Sequence, residues 1–227
     1  MKLCVALDLP SKTENINLAK ELQSFDIWLK IGFRSYIRDG KELIKTLKSI
    51  NPNFKIFLDL KLYDIPNTMA DAAEEISKLD IDMFNIHASS GKTAMQTIMK
   101  RVKNLKNPPL ILAVTALTSF DNSEFQDIYH KSIEQKAKQF AQDAYKSGIN
   151  GVVCSVYESK IIKNITDNDF LTLTPGIRPF GEKSDDQKRV ADINRAKKES
   201  VDFIVVGRPI YKDKNPKLIV KKILSQL

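Results

Sequence analysis

Eight short apolar runs recur along the chain, at Leu3–Leu7, Ile27–Ile31, Phe54–Leu60, Ile81–Ile86, Leu110–Val114, Gly151–Cys154, Phe170–Leu173 and Phe203–Val206. Stretches with helical spacing separate them, among them Thr68–Leu79, Thr93–Leu105, Ser132–Ser147 and Lys188–Ser200. A run apolar at every position fits a strand buried on both faces, and strict alternation with amphipathic stretches predicts a parallel sheet. Eight such units predict closure into a (β/α)8 TIM barrel, one α/β domain over residues 1–227. An open doubly wound sheet is the competing architecture. Glycine placement favours the barrel, because Gly32, Gly91, Gly176 and Gly207 each follow a predicted strand, where barrels place their binding loops. Neither a G-x-G-x-x-G turn nor a G-x-x-x-x-G-K-[ST] loop occurs, which argues against dinucleotide and nucleoside-triphosphate folds.

No Pro/Gly/Ser-rich linker or low-complexity tract divides the 227 residues. Two loops exceed what a barrel needs: Ala116–His130 after the fifth strand, and Gly176–Gln187 after the seventh, whose glycines and polar residues suit a lid. The formal charge of +8 could indicate a polyanionic partner, but only seven of the 36 basic residues are Arg. The lysines are scattered along helix-like stretches, so nucleic acid is not the expected partner, although a positive field would speed the arrival of a small phosphorylated substrate. Cys4 and Cys154 lie inside apolar runs and read as buried thiols of a reducing compartment. The N-terminal run is interrupted by Asp8 and lacks a cleavage pattern, so it reads as a strand and not as a signal peptide. No stretch approaches the roughly 18 apolar residues of a membrane span, and the expected location is the cytoplasm.

Charged and polar side chains gather where the predicted strands end. Asp8 closes the first, Lys30 the second, Asp59 and Lys61 the third, Asn85 and His87 the fourth, and Arg208 follows the eighth. Asp59 and Lys61 are two apart and share one strand face, so both enter the barrel mouth if Phe57 faces inward. Unpaired charges there would cost several kcal/mol each, and either catalysis or a buried ion-pair network has to account for them.

The run Asp59-Leu-Lys-Leu-Tyr-Asp-Ile-Pro-Asn-Thr68 closely resembles the D-x-K-x-x-D-I-P-N-T signature of orotidine 5'-phosphate decarboxylases. The resemblance extends through ALD at Asp8, LKIG at Lys30, NIHASSG from Asn85, TALTS at Thr118, GVVCS from Gly151, TPGIRP at Arg178, DDQKR at Gln187, and VVGRP at Gly207 and Arg208. It implies that Lys61 donates a proton to the pyrimidine carbon that loses CO2, within a Lys30-Asp59-Lys61-Asp64 array. It further implies that Asp64 and Thr68 reach the site of a neighbouring subunit, making a homodimer with shared sites. Asp8 would bind the ribose hydroxyls and Thr118 the base, while Arg178, Gln187, Gly207 and Arg208 would hold the phosphate.

The chemistry of such a reaction calls for these residue types. Loss of CO2 from a carbon without an adjacent electron sink leaves a localised carbanion, which an ammonium group both stabilises and protonates. No cofactor or metal is expected. The chain has two histidines, and Lys61 would repel a cation held by Asp8, Asp59 and Asp64. Trp28 shares a strand face with Lys30 and reads as core. Ser89, Ser90 and Ser155 lack a His/Asp partner for nucleophilic catalysis. Two other functions remain at this point: a Mg2+-dependent sugar-phosphate lyase or decarboxylase of the same superfamily, and a non-catalytic nucleotide-binding barrel.

Overall fold

A computed structural model describes residues 1–181 and 189–227. Eight parallel strands close on themselves in sequence order: β1 (Lys2–Ala6), β2 (Trp28–Gly32), β3 (Lys55–Leu62), β4 (Met83–His87), β5 (Leu110–Val114), β6 (Gly151–Val153), β7 (Leu171–Thr174) and β8 (Phe203–Val206). Closure by the β1–β8 pair excludes the open sheet. Helices α1 (Lys12–Leu22), α2 (Phe33–Ile50), α3 (Pro66–Ser77), α4 (Gly91–Val102), α5 (Asn122–Tyr129), α6 (Ile133–Lys146), α7 (Val156–Ile165), α8 (Ile193–Lys198), α9 (Arg208–Tyr211) and α10 (Pro216–Leu224) make up the connections and the outer layer. Gly40, at φ 56°, breaks the helical path within α2.

Strand alternation sorts the apolar residues into two cores. Outward side chains such as Leu29, Ile31, Ile56, Leu58, Phe84 and Ile86 pack under the helices. Inward ones, among them Cys4, Trp28, Phe57, Met83, Leu112 and Phe203, fill the barrel itself. Inward residues sit beside inward residues across the ladder, with Cys4 opposite Trp28, Lys30 opposite Phe57 and Gly32 opposite Asp59. Trp28 meets Phe203 edge to face at 5.2 Å and helps to plug the barrel, so it is core as expected. Above this floor the inward positions become polar, and that switch places the pocket at the carboxyl ends of the strands.

Helix starts are set by side-chain caps. Ser11 with Glu14, Asp121 with Glu124, and Ser155 with Glu158 form capping boxes at α1, α5 and α7. Local side-chain contacts of this kind account for departures from the periodicity. The loop expected over Ala116–His130 contains α5, held by Asp121 and by Phe125, which is fully buried and stacks on Tyr129 at 4.4 Å. The helix expected over Lys188–Ser200 begins only at Ile193, because Asp192 caps it and the Ala191 backbone pairs with Gly176 and Arg178 instead. Asp8 lies two residues beyond β1 rather than at its end.

Candidate active site

Four charged groups form a line at the rim of β1–β3. The Lys30 ammonium reaches both Asp8 oxygens, at 3.0 and 3.1 Å, and stands 3.5 Å from Asp59 Oδ2. Asp59 Oδ1 accepts from Lys61 Nζ at 2.6 Å, so the order is Asp8, Lys30, Asp59, Lys61, with signs alternating. Burial alone would lower the Lys30 pKa, but the carboxylates of Asp59 and Asp8 outweigh it and the net shift is upward. Burial pushes Asp59 the other way, yet Lys30 and Lys61, with hydrogen bonds from Lys61 and Asn85, hold its carboxyl below the usual range. Both shifts keep the buried pair ionised over a wider pH interval than either group would manage alone. A Cβ at Gly32 would lie 3.0 Å from both Asp8 Oδ1 and Lys30 Nζ, so glycine at this position keeps the pair's space clear.

Asp59 and Lys61 do share the inward face, but their geometry is more particular than strand alternation implies. Pairing of β3 with β4 slips between Leu58 and Leu62, and Lys61 adopts a left-handed φ of 48°. Such a conformation costs about 1 kcal/mol or more in a non-glycine residue and persists only where neighbours impose it. Asn85 is the neighbour. Fully buried on β4, it accepts the Lys61 N–H at 2.7 Å and donates to Asp59 Oδ1 at 2.7 Å. The sequence marks Asn85 as one polar group among several, without a role. Asn85→Ala should cost about 1–3 kcal/mol of stability for the lost buried hydrogen bonds. If Lys61 acts in catalysis, as the sequence resemblance implies, the change should also lower kcat more than it raises KM, because Lys61 loses its aim. A steady-state assay beside a thermal melt reads both effects, and unchanged kcat would rule out the aiming role.

The remaining predicted residues divide into three groups. Thr118 and Arg178, both nearly buried, line the same cavity of about 390 Å3 as the charged line, together with Gly207, Arg208 and Tyr211. Thr118 follows β5, Arg178 follows β7, and Gly207 and Arg208 follow β8, so the cavity spans the barrel mouth. Its size suits one small ligand. Asp64 and Thr68 lie outside the cavity in the single chain: both are exposed, and Asp64 Oδ1 accepts the Ile65 N–H at 2.7 Å. Gln187 lies outside the described residues, as does half of the Gly176–Gln187 loop.

His87, at the end of β4, is bonded through Nδ1 to Ser89 Oγ at 2.6 Å, and burial followed by the nearby Lys61 charge pushes its pKa down. Among the described residues no group of three or more His, Cys, Asp and Glu side chains is placed to hold a metal ion. The acids that could do so here, Asp8 and Asp59, are both turned toward the Lys30 ammonium. Cys4 and Cys154 are fully buried, and burial pushes both thiols well up, which leaves them inert as nucleophiles.

Known proteins share this architecture and sequence. The chain is 70% identical to an orotidine 5'-phosphate decarboxylase of a Nitratiruptor species and 63% identical to one of Sulfurimonas denitrificans, each alignment covering 100% of both chains. A crystal structure of orotidine 5'-phosphate decarboxylase from Lactobacillus acidophilus superposes with a TM-score of 0.84 at 33% identity, covering 99% of this chain and 98% of that one. The model of the orotidine 5'-phosphate decarboxylase / HUMPS family matches residues 1–223. The chain therefore belongs to the orotidine 5'-phosphate decarboxylase / HUMPS family.

Proposed function

We propose that this enzyme decarboxylates orotidine 5'-phosphate to uridine 5'-phosphate without metal or cofactor. The observation that carries the reading is the alternating Asp8-Lys30-Asp59-Lys61 line in a cavity that Arg178 and Arg208 also line, in a member of this family. The C–C bond to the carboxylate breaks, CO2 leaves, and the electron pair stays on the pyrimidine carbon. Lys61 Nζ stabilises that charge and then supplies the proton. Asp59 beside the substrate carboxylate adds a repulsion of about 4 kcal/mol at 4 Å and an effective dielectric near 20, relieved as neutral CO2 forms. That is a small share of the barrier reduction such a reaction requires, so charge stabilisation by Lys61 contributes more.

Around this centre, Asp8 takes the ribose hydroxyls, Lys30 steadies both acids, and Thr118 contacts the base. Arg178, Arg208 and the Gly207 backbone, with Gln187, take the phosphate, where a guanidinium fork matches a dianion. Binding energy from the phosphate is then available to organise the reacting end.

Asp64 completes the array from a second subunit, with Thr68 beside it. The exposed apolar residues support this reading. Tyr63 and Ile65 flank Asp64 and are 65% and 66% exposed; Phe33, whose ring centroid is 5.6 Å from Lys61 Nζ, is 52% exposed, and Ile37 79%. Large apolar side chains left in water beside a site mark a surface that a partner covers. No helix among the described residues is long and apolar enough to cross a membrane, and the two buried thiols suit a reducing cytoplasm.

The test is direct. Orotidine 5'-phosphate added to the purified chain should lose its orotate-type ultraviolet absorbance, at the same rate with and without EDTA. Loss of activity in EDTA, restored by Mg2+, would favour a metal-dependent lyase. Nucleotide binding without turnover would favour a non-catalytic barrel.

A further inference from the structure

Three consecutive connections of the barrel, those after β5, β6 and β7, meet at one guanidinium that the reaction above does not use. Arg189 lies on the β7–α8 connection with its side chain 17% exposed, and its Nη1 is paired with Glu158 in the first turn of α7, whose side chain is 9% exposed. Glu158 is itself fixed, because its other oxygen accepts the Ser155 N–H at 2.9 Å. From this anchored position Arg189 Nη2 donates to the carbonyls of Ala116 and Leu117, both at 3.3 Å. Thr118 is the next residue along that connection.

The backbone beside Arg189 is tied to the opposite wall. Val190 O accepts the Tyr157 hydroxyl at 2.9 Å. Ala191 N–H donates to Gly176 O at 3.1 Å, and Arg178 N–H donates to Ala191 O at 2.9 Å. Arg189 thus joins the segment carrying Thr118 to the segment carrying Arg178, and both residues line the cavity. Stability alone is a weak reason for such a pair, since well-packed apolar residues often replace a buried ion pair at no loss. A planar fork that meets one carboxylate and two carbonyls at once is, by contrast, something a lysine cannot supply.

We infer that the Arg189–Glu158 pair is a positioning device, setting the separation of the Thr118 and Arg178 walls so that one nucleoside monophosphate is held at both ends. The inference takes its ligand class from the reaction proposed above, but its test does not require turnover. Affinities of the intact chain for UMP and for inorganic phosphate, measured by calorimetry, are compared between wild type and Arg189→Lys. Lysine keeps a charge opposite Glu158 and gives up the double carbonyl contact. UMP should bind about tenfold or more weakly, whereas phosphate, which meets the Arg178 side only, should stay within about twofold. The melting temperature should fall by no more than about 4 °C, as for a loss near 1 kcal/mol. Unchanged UMP affinity in a folded variant, or an equal loss for phosphate, would overturn the device. If Arg189→Lys folds poorly, Glu158→Gln retains the oxygen that accepts from Ser155, releases the guanidinium, and should give the same split between the two ligands. Decarboxylation by the wild-type chain is a separate readout, so failure of the reaction and failure of the device remain distinguishable.

Discussion

Lys61→Ala is expected to lower kcat/KM for orotidine 5'-phosphate by about 10⁴-fold or more, which corresponds to about 5.5 kcal/mol of transition-state stabilisation. Two effects are lost together. A positioned proton donor is typically worth about 10²- to 10⁴-fold. A preorganised positive charge at the site where negative charge develops is worth about another 10²- to 10³-fold. The loss should fall mainly on kcat, since Arg178 and Arg208, the residues proposed to hold the phosphate, line another part of the cavity wall and are untouched. Stability should change little by comparison. Lys61 is 29% exposed at its side chain, and Asp59 keeps its Lys30 and Asn85 partners when the ammonium is removed. Steady-state kinetics with a thermal melt separates the two: a loss of activity that follows a loss of fold, or a loss below about 10-fold, would remove Lys61 from the proton-donor role.

The charged line is legible in the sequence because two simple regularities reach that far. Strands buried on both faces leave short, mostly apolar runs, so all eight can be counted, and alternation places Asp59 and Lys61 with Phe57 on the inner face. What alternation does not encode is the bulge after Leu58 and the left-handed Lys61, which depend on a hydrogen bond to Asn85, 24 residues away. Helix boundaries move for a related reason. Pro66 at the first turn of α3 and Asp192 before α8 decide where those helices start, and neither contributes to apolar periodicity. α5 reads as loop although its capping pair, Asp121 and Glu124, stands in the sequence, because eight residues carry too few apolar positions to show a period. Arg189 is visible only as the end of DDQKR; its contacts with Glu158, Ala116 and Leu117 lie 31 to 73 residues away and follow from the closure of the barrel.

A mixture of two inactive variants, Lys61→Ala and Asp64→Ala, should regain activity once their subunits exchange. Within one chain Asp64 is exposed and outside the cavity that holds Lys61. If the fourth charge of the array comes from a second subunit, each site takes Lys61 from one chain and Asp64 from the other. In a mixed dimer one site then carries both substitutions and the other carries neither. Random exchange makes half of the dimers mixed, and half of their sites are intact, so recovery should approach about one quarter of wild-type activity for a twofold-symmetric assembly. Neither parent alone should exceed the trace left by losing a charged group from the array. The apolar side chains around the site, Phe33, Tyr63 and Ile65, give the exchange its physical control. Tyr63→Lys, placed on the surface that the partner would cover, should weaken association and, with it, the recovered activity, because a buried unpaired ammonium opposes assembly. Mixed dimers confirmed by native mass spectrometry that stay as inactive as their parents would return Asp64 to a role outside the reaction. The chemistry would then rest on Asp8, Lys30, Asp59 and Lys61 within one chain.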